Sequence, residues 1–182
     1  MNLGARCYRC GGRSAVIGSL DGPHNRQLRI GGLPVGEELS APPPQAGAAW
    51  PYREDVGSII IVVATDAPLL PHQAQRLARR ATMGLARTGS TSGNGSGDIF
   101  IAFSTGNANA AAPAARAPLN VAMLPNEALN PVFEATVQAT EEAIVNAMLG
   151  AETMSGARGS KVTALPHDQL RRVLEKYNRL RN

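Results

Sequence analysis

The sequence has 182 residues, of which 43% are hydrophobic, 18% charged and 4% aromatic, with 19 glycines and 13 prolines. Its mean hydropathy is −0.13 and its formal charge is +4. That size and balance predict one domain, or one domain plus an arm, and exclude both a disordered chain and a chain rich in membrane spans. No apolar run approaches the roughly 18 residues that cross a bilayer. No charged-then-apolar leader opens the sequence, which predicts a cytoplasmic protein. With so few aromatics, the core must be built from Ala, Val, Leu and Ile.

Of the 18 basic residues only Lys161 and Lys176 are lysines. Arginines concentrate in the first 30 residues, in 76–87 and in 171–181. The last two stretches have helical spacing and read as solvated helix faces. No aromatic side chains are interleaved to stack bases, so no nucleic-acid partner is expected. Cys7 and Cys10 form one CxxC. No second ligand pair follows to complete a zinc site, and Gly11-Gly12 stands where a redox pair would open a helix. The pair is incidental, and no metal or cofactor is expected.

Residues 1–27 carry little periodicity and read as an arm. Residues 28–39, LRIGGLPVGEEL, predict a short strand and turn. Residues 40–57 are rich in Pro and Ala and read as an exposed linker ending at Gly57. Ser58 to Thr65, SIIIVVAT, is a β-branched run that predicts a strand buried on both faces. Pro71 suits a first helical turn, and Leu70, Ala74, Leu77, Ala81 and Leu85 recur at three- and four-residue steps, predicting a helix to about Arg87. After the Gly/Ser loop 88–97, Asp98 to Thr105 predicts a second buried strand. Residues 106–118 read as a loop. Phe133, Val137, Ile144 and Met148 mark a helix over about 130–149, with Gly150 at its C-cap. A short strand around Val162 and a helix opening at Pro166-His167-Asp168 complete a β-α-β-α-β-α order, which implies an α/β sheet covered by helices.

Three places could carry chemistry. At Gly57-Ser58 a hydroxyl follows a glycine at the head of a buried strand. The step is common between loops and strands, and it also fits an autoproteolytic bond. There a serine hydroxyl attacks the preceding carbonyl, and the α-amine freed by cleavage can serve as base for that hydroxyl. At Gly95-Ser96-Gly97-Asp98, a hydroxyl and a carboxylate two residues apart share one side of an extended segment. They can cap a turn or orient a nucleophile. A phosphate loop is disfavoured, because no lysine and no helix follow. At 65–72, Asp66 reads as a turn residue and His72 as a helix-start residue. No HExxH, GxSxG or Walker pattern occurs.

Together, SIIIVVATDAPLLPHQAQRLARRATMGLART and GNGSGDIFIAFST closely resemble the L-aminopeptidase / D-amidase-D-esterase family, which includes the β-peptidyl aminopeptidases. LRIGGLPVGEEL resembles the segment leading to that family's cleavage site. EEAIVNAMLGAETMSG and KVTALPHDQL resemble its carboxyl-terminal part. The resemblance covers about residues 28–182. It implies self-cleavage between Gly57 and Ser58, with Ser58 as the nucleophile and Ser96 and Asp98 orienting it. It implies an αββα sandwich similar to the amino-terminal-nucleophile hydrolases, incomplete in this chain. The implied reaction releases amino-terminal residues from small peptides, amides or esters through an acyl-enzyme, without a metal. Family members resemble assemblies of heterodimers, so a homo-oligomer is implied for the complete enzyme.

The family has a long region before its cleavage site, which forms a larger subunit and supplies an oxyanion-hole asparagine. Here 57 residues precede Ser58. Residues 1–57 therefore read as a truncated remnant of that region with a linker, and 58–182 as the catalytic smaller-subunit-like domain. Asn25 does not have the surroundings of the oxyanion asparagine, and the role is not transferred to it. The second reading is a non-catalytic or partner-dependent fragment of such an enzyme. A third, an acyltransferase with an autoproteolytic threonine, is opposed by Ser58.

Overall fold

The computed structural model describes residues 3–8, 26–39, 58–111, 116–155 and 161–180. In chain order the elements are β1 (Leu3–Tyr8), α1 (Val35–Glu38), β2 (Ile60–Thr65), α2 (Pro71–Arg87), β3 (Ile99–Ser104), α3 (Asn130–Leu149), β4 (Met154–Ser155), β5 (Lys161–Val162) and α4 (His167–Lys176).

The β-branched run of β2 favours extended backbone, and its amides are taken up on both sides. β1 pairs with it antiparallel and β3 pairs with it parallel. The crossover that a parallel pair requires is supplied by α2 and the loop after it. The β2–β3 register matches Ile60 with Ile99 and Thr65 with Ser104. This register positions the candidate site.

Burial along the strands differs from expectation. Ile61, Val63 and Thr65 are buried, but Ile60, Val62 and Ala64 are only half-buried. On β3 the contrast is larger: Ile99, Ile101 and Phe103 are 50%, 48% and 47% exposed, while Phe100 and Ala102 pack against the core. The strands are thus covered on one face rather than two. The cause is that α2 and α3 lie together on that face, α2 along β3 and α3 along β1. Among the described residues β3 is also an edge strand, with a neighbour on one side only.

Helices α2 and α3 form where the apolar spacing predicts. Leu77, Ala81 and Leu85 of α2 meet Val132, Phe133, Ile144 and Met148 of α3 in one core. The helices cross closely at Gly84: a Cβ there would stand 2.6 Å from both the Val137 carbonyl oxygen and Thr140 Cβ. Arg79 and Arg87 of α2 are solvated as expected, but Arg76 and Arg80 are only partly exposed. Arg80 and Arg76 lie over the Phe133 ring at 4.1 and 5.2 Å, Arg76 also donates to Asn126 Oδ1 at 2.8 Å, and Arg87 meets Glu141 at 3.4 Å. Buried Gln73 secures the head of α2. Its Oε1 accepts the Leu70 N–H at 3.1 Å and its Nε2 donates to the Leu124 carbonyl at 2.8 Å.

Three other expectations need correction. Leu3–Tyr8 lies in the stretch read as an arm, yet it is a strand of the main sheet. Its identity comes from backbone pairing with β2 rather than from an apolar period. Residues 28–39 form a turn, with Gly31 and Gly32 at φ 57° and 78°, but no strand. Ile30 and Leu33 close a single bridge across that turn, and Pro34 then leads into α1. Among the described residues the strand at Val162 pairs only with β4, in a separate two-stranded sheet. Its two residues are too few to extend the main one.

The segment around α1 is tied to α4. Leu28, Leu33, Val35 and Leu39 share the core with Leu165, Leu170 and Val173. Above that contact, Lys176 Nζ donates to both carboxylate oxygens of Glu38 at 2.7 and 2.9 Å, and Tyr177 Oη–H donates to Glu38 Oε1 at 2.8 Å. The Lys176 hydrogen bond, then that from Tyr177, lowers the Glu38 pKa. The same contact with Glu38 raises the Lys176 and Tyr177 pKa values. Gly57, Asn25, Cys10 and the linker 40–57 lie outside the described residues.

Candidate active site

Ser58 and Ile59 lead into β2, and Gly97 and Asp98 lead into β3. Continuing the parallel register backwards sets Ser58 beside Gly97 and Ile59 beside Asp98. The Ile99 N–H donates to the Ile59 carbonyl at 2.9 Å, which holds the two strand entries together. Ser58 is exposed, whereas Ile59 is buried and anchors the residue behind it.

Across this junction the Gly97 N–H donates to Ser58 Oγ at 2.9 Å. A backbone donor aimed at a hydroxyl oxygen stabilises negative charge that develops there. Glycine is suited to the position because a Cβ on Gly97 would stand 3.2 Å from Ser58 Oγ. The half-buried Asp98 carboxylate collects three donors. Oδ1 accepts the Ile59 N–H at 3.0 Å and the Ser96 hydroxyl at 2.6 Å, and Oδ2 accepts the Ser92 hydroxyl at 2.7 Å. Hydrogen bonds to a carboxylate are charge-assisted, so they fix its orientation firmly.

The structure therefore brings Ser58, Ser96 and Asp98 into one hydrogen-bonded cluster. The links from Ser58 pass through backbone: its Oγ bonds the Gly97 amide, and the amide of its neighbour Ile59 bonds Asp98. Asp66 and His72 lie beyond the other end of β2 and take no part. Two members of the cluster were not read from the sequence. The Gly97 N–H becomes legible only once β2 and β3 are known to be parallel and in register. Ser92 was one hydroxyl among several in a Gly/Ser loop. A cavity of about 540 Å³ lined by Arg26, Gln27, Arg29, Glu37, Gly89 and Thr91 contains none of the three predicted site residues. Among the described residues, no group of three or more His, Cys, Asp or Glu side chains could hold a metal ion, and no helix is long and apolar enough to cross a membrane.

Helices packed on one face of a mixed sheet define an α/β protein. The chain belongs to Peptidase family S58, whose sequence pattern matches residues 12–162. That match starts upstream of Leu28, so the family pattern reaches into the stretch read as an unrelated arm. The chain is 47% identical over 161 residues to the "Beta-peptidyl aminopeptidase BapA" of Sphingosinicella microcystinivorans, which covers 84% of this chain and 40% of that protein. Among solved structures it resembles the L-aminopeptidase D-Ala-esterase/amidase of Ochrobactrum anthropi, described as a prototype for the serine aminopeptidases and a new variant of the Ntn hydrolase fold. That likeness has a TM-score of 0.74 at 45% identity, over 86% of this chain and 41% of that one. It also resembles a Burkholderia sp. beta-aminopeptidase, with a TM-score of 0.70 at 34% identity over 99% of this chain and 50% of that one. The chain thus has an α/β fold of the Ntn-hydrolase kind. It spans about two-fifths of the length of the curated relatives it matches.

Proposed function

We propose that this chain carries the nucleophile of a serine aminopeptidase or amidase, exposed by self-cleavage at Gly57–Ser58. The bond divides a preceding region, 1–57, from a catalytic region, 58–182. The observation that carries the reading is the 2.9 Å hydrogen bond from the Gly97 amide to Ser58 Oγ, beside a carboxylate that grips the next amide of the chain.

Processing begins with attack of Ser58 Oγ on the Gly57 carbonyl carbon. The C–N bond to Ser58 breaks, the hydroxyl proton passes to the leaving α-amine, and an ester remains. Water then hydrolyses that ester, giving a carboxylate on Gly57 and an amino-terminal Ser58 with a free hydroxyl. In turnover the α-amine takes the hydroxyl proton as Oγ attacks a substrate carbonyl. The amino-terminal residue of the substrate stays on Oγ as an ester, the amine, peptide or alcohol leaves, and water releases the acyl group. Gly97 N–H steadies Oγ. Asp98 fixes Ile59, and with it the direction of Ser58. Ser96 spends its proton on Asp98, so its lone pairs are left to accept from the Ser58 amine. Substrates are small peptides, amides or esters.

A second reading is that these residues work only with further protein against the sheet. The exposed row Ile99, Ile101 and Phe103 favours it, since a contiguous apolar strand face is costly to leave in water. The relatives' additional length suits a larger-subunit region as that partner. The 182-residue chain alone is then a slow enzyme, because positioning and oxyanion stabilisation supply much of the rate in acyl transfer.

The test is release of p-nitroaniline from amino-acid p-nitroanilides by the purified chain and its Ser58→Ala variant. Slow release that the variant lacks supports the reading. Equal release by both chains contradicts Ser58 as nucleophile. Turnover at about 1 s⁻¹ or more, lost in the variant, contradicts the need for a partner.

A further inference from the structure

Ser92 stands apart within the Gly/Ser loop. Its φ is +47°, in the left-handed region that a side chain bearing a Cβ rarely adopts. Such a conformation persists only where surrounding contacts over-determine it. Here the contacts are specific. The Ser92 N–H donates to the Oγ of buried Ser90 at 3.3 Å, and the Ser92 hydroxyl donates to Asp98 Oδ2 at 2.7 Å. The other carboxylate oxygen, Oδ1, is the one that holds the Ile59 amide and the Ser96 hydroxyl. A carboxylate held through one oxygen can still pivot about it. The hydroxyl of Ser92 on the second oxygen removes that freedom.

We infer that Ser92 is a positioning residue of this site, using its left-handed backbone to aim a hydroxyl at Asp98 and lock the carboxylate against the Ile59 amide. The inference rests on the reading of Ser58 as nucleophile. Its path of action is indirect: Ser92 orients Asp98, Asp98 fixes Ile59, and Ile59 sets the approach of Ser58 to the Gly57 carbonyl. Ser92 itself touches no reacting atom.

Two substitutions separate the hydroxyl from the backbone conformation. Ser92→Gly keeps the left-handed turn at no steric cost and removes the donor. Ser92→Asn also tolerates that turn and returns a donor, its side-chain amide. The measurements on the full chain are the rate of cleavage at Gly57–Ser58, hydrogen exchange of the Ile59 amide, and Tm. Ser92→Gly is expected to slow cleavage by about ten- to hundredfold, the worth of one hydrogen bond to a charged group, with little change in Tm. Exchange at Ile59 is expected to quicken. Ser92→Asn is expected to recover a large part of both. Cleavage by Ser92→Gly at the wild-type rate overturns the inference, and so does a loss that Ser92→Asn fails to recover. If the wild-type chain does not cleave at all, the reading of Ser58 fails separately. Exchange at Ile59 then decides alone: faster exchange in Ser92→Gly supports the locking contact, and unchanged exchange overturns it.

Discussion

Asp98 lies opposite Ile59 across the β2–β3 pair and accepts its amide at 3.0 Å. An ordinary parallel ladder satisfies strand amides with backbone carbonyls. Here the ladder begins one step later, with Ile99 N–H bonding the Ile59 carbonyl. The entry amide of β2 is therefore held by a side chain whose other contacts are all hydroxyls. That substitution of carboxylate for carbonyl couples the backbone beside Ser58 to the loop before β3.

Asp98→Asn tests that coupling. An asparagine offers one acceptor oxygen to a site that directs three donors at it, and its NH₂ would face at least one of them. Leaving such a donor unpaired costs about 1–3 kcal/mol where the site is dry, less at this half-buried position. We expect a modest fall in Tm and a much larger fall in cleavage at Gly57–Ser58. Denaturant unfolding and intact-mass kinetics on the same preparations measure the two effects. A chain that keeps its cleavage rate would remove Asp98 from the proposed machinery.

Gly97→Ala probes the approach to Ser58 from the other strand. The added Cβ would sit 3.2 Å from Ser58 Oγ, close enough to push an exposed hydroxyl into another rotamer while leaving the Gly97 N–H in place. We expect processing to slow by about tenfold, a displacement cost of the order of one off-rotamer side chain, with near-normal stability. An unchanged rate would show that the observed rotamer of Ser58 is not the reactive one.

Much of the fold was legible in the sequence, for identifiable reasons. The bounds of α2 and α3 follow from apolar spacing, from Pro71 at the start of one and Gly150 at the end of the other. β2 follows from a β-branched run closed by Asp66-Ala67-Pro68, and β3 from a short apolar run closed by Gly106. That Ser58, Ser96 and Asp98 stand at two strand entries was legible from the sequence, but the pattern alone fitted turn caps as well, and the roles proposed for them come from the family resemblance. What composition could not show is which neighbours a strand has. Leu3–Tyr8 is a strand because β2 offers it an edge, and a run such as Ile99, Ile101 and Phe103 looks the same whether one face is covered or two. Ser92 was hidden for a different reason: its role depends on a left-handed turn, and the residues around it give no period to read.

The crossing of α2 over α3 makes a prediction about stability alone. Gly84→Ala would drive a methyl into the Val137 carbonyl and Thr140, contacts that helix backbone cannot relieve without separating. We expect a loss of about 1–3 kcal/mol in urea unfolding, the usual cost of overpacking. A neutral result would mean that the helices separate freely, contrary to the continuous core they share.

The Glu38–Lys176–Tyr177 cluster sets a pH window for the contact between α1 and α4. Glu38 titrates below its ordinary range because of Lys176 and then Tyr177, so its stabilisation is present above the usual carboxylate pKa and lost as pH falls through the lowered value. Lys176 and Tyr177 titrate above their ordinary values because of Glu38. Their stabilisation is present below those values and lost as pH rises through the raised ones. We expect Glu38→Gln to lower Tm most between about pH 5 and 9 and to match wild type in strong acid. The groups are exposed, so high salt should shrink the difference. A Tm difference that persists unchanged in acid would refute the ionic origin of the contact.

The most direct test of the central claim is intact-mass spectrometry of the purified chain over a long incubation, beside its Ser58→Ala variant. The account predicts a fragment whose first residue is Ser58 in the wild-type chain and none in the variant. Only full-length wild-type chain, or the same fragment from Ser58→Ala, would contradict it.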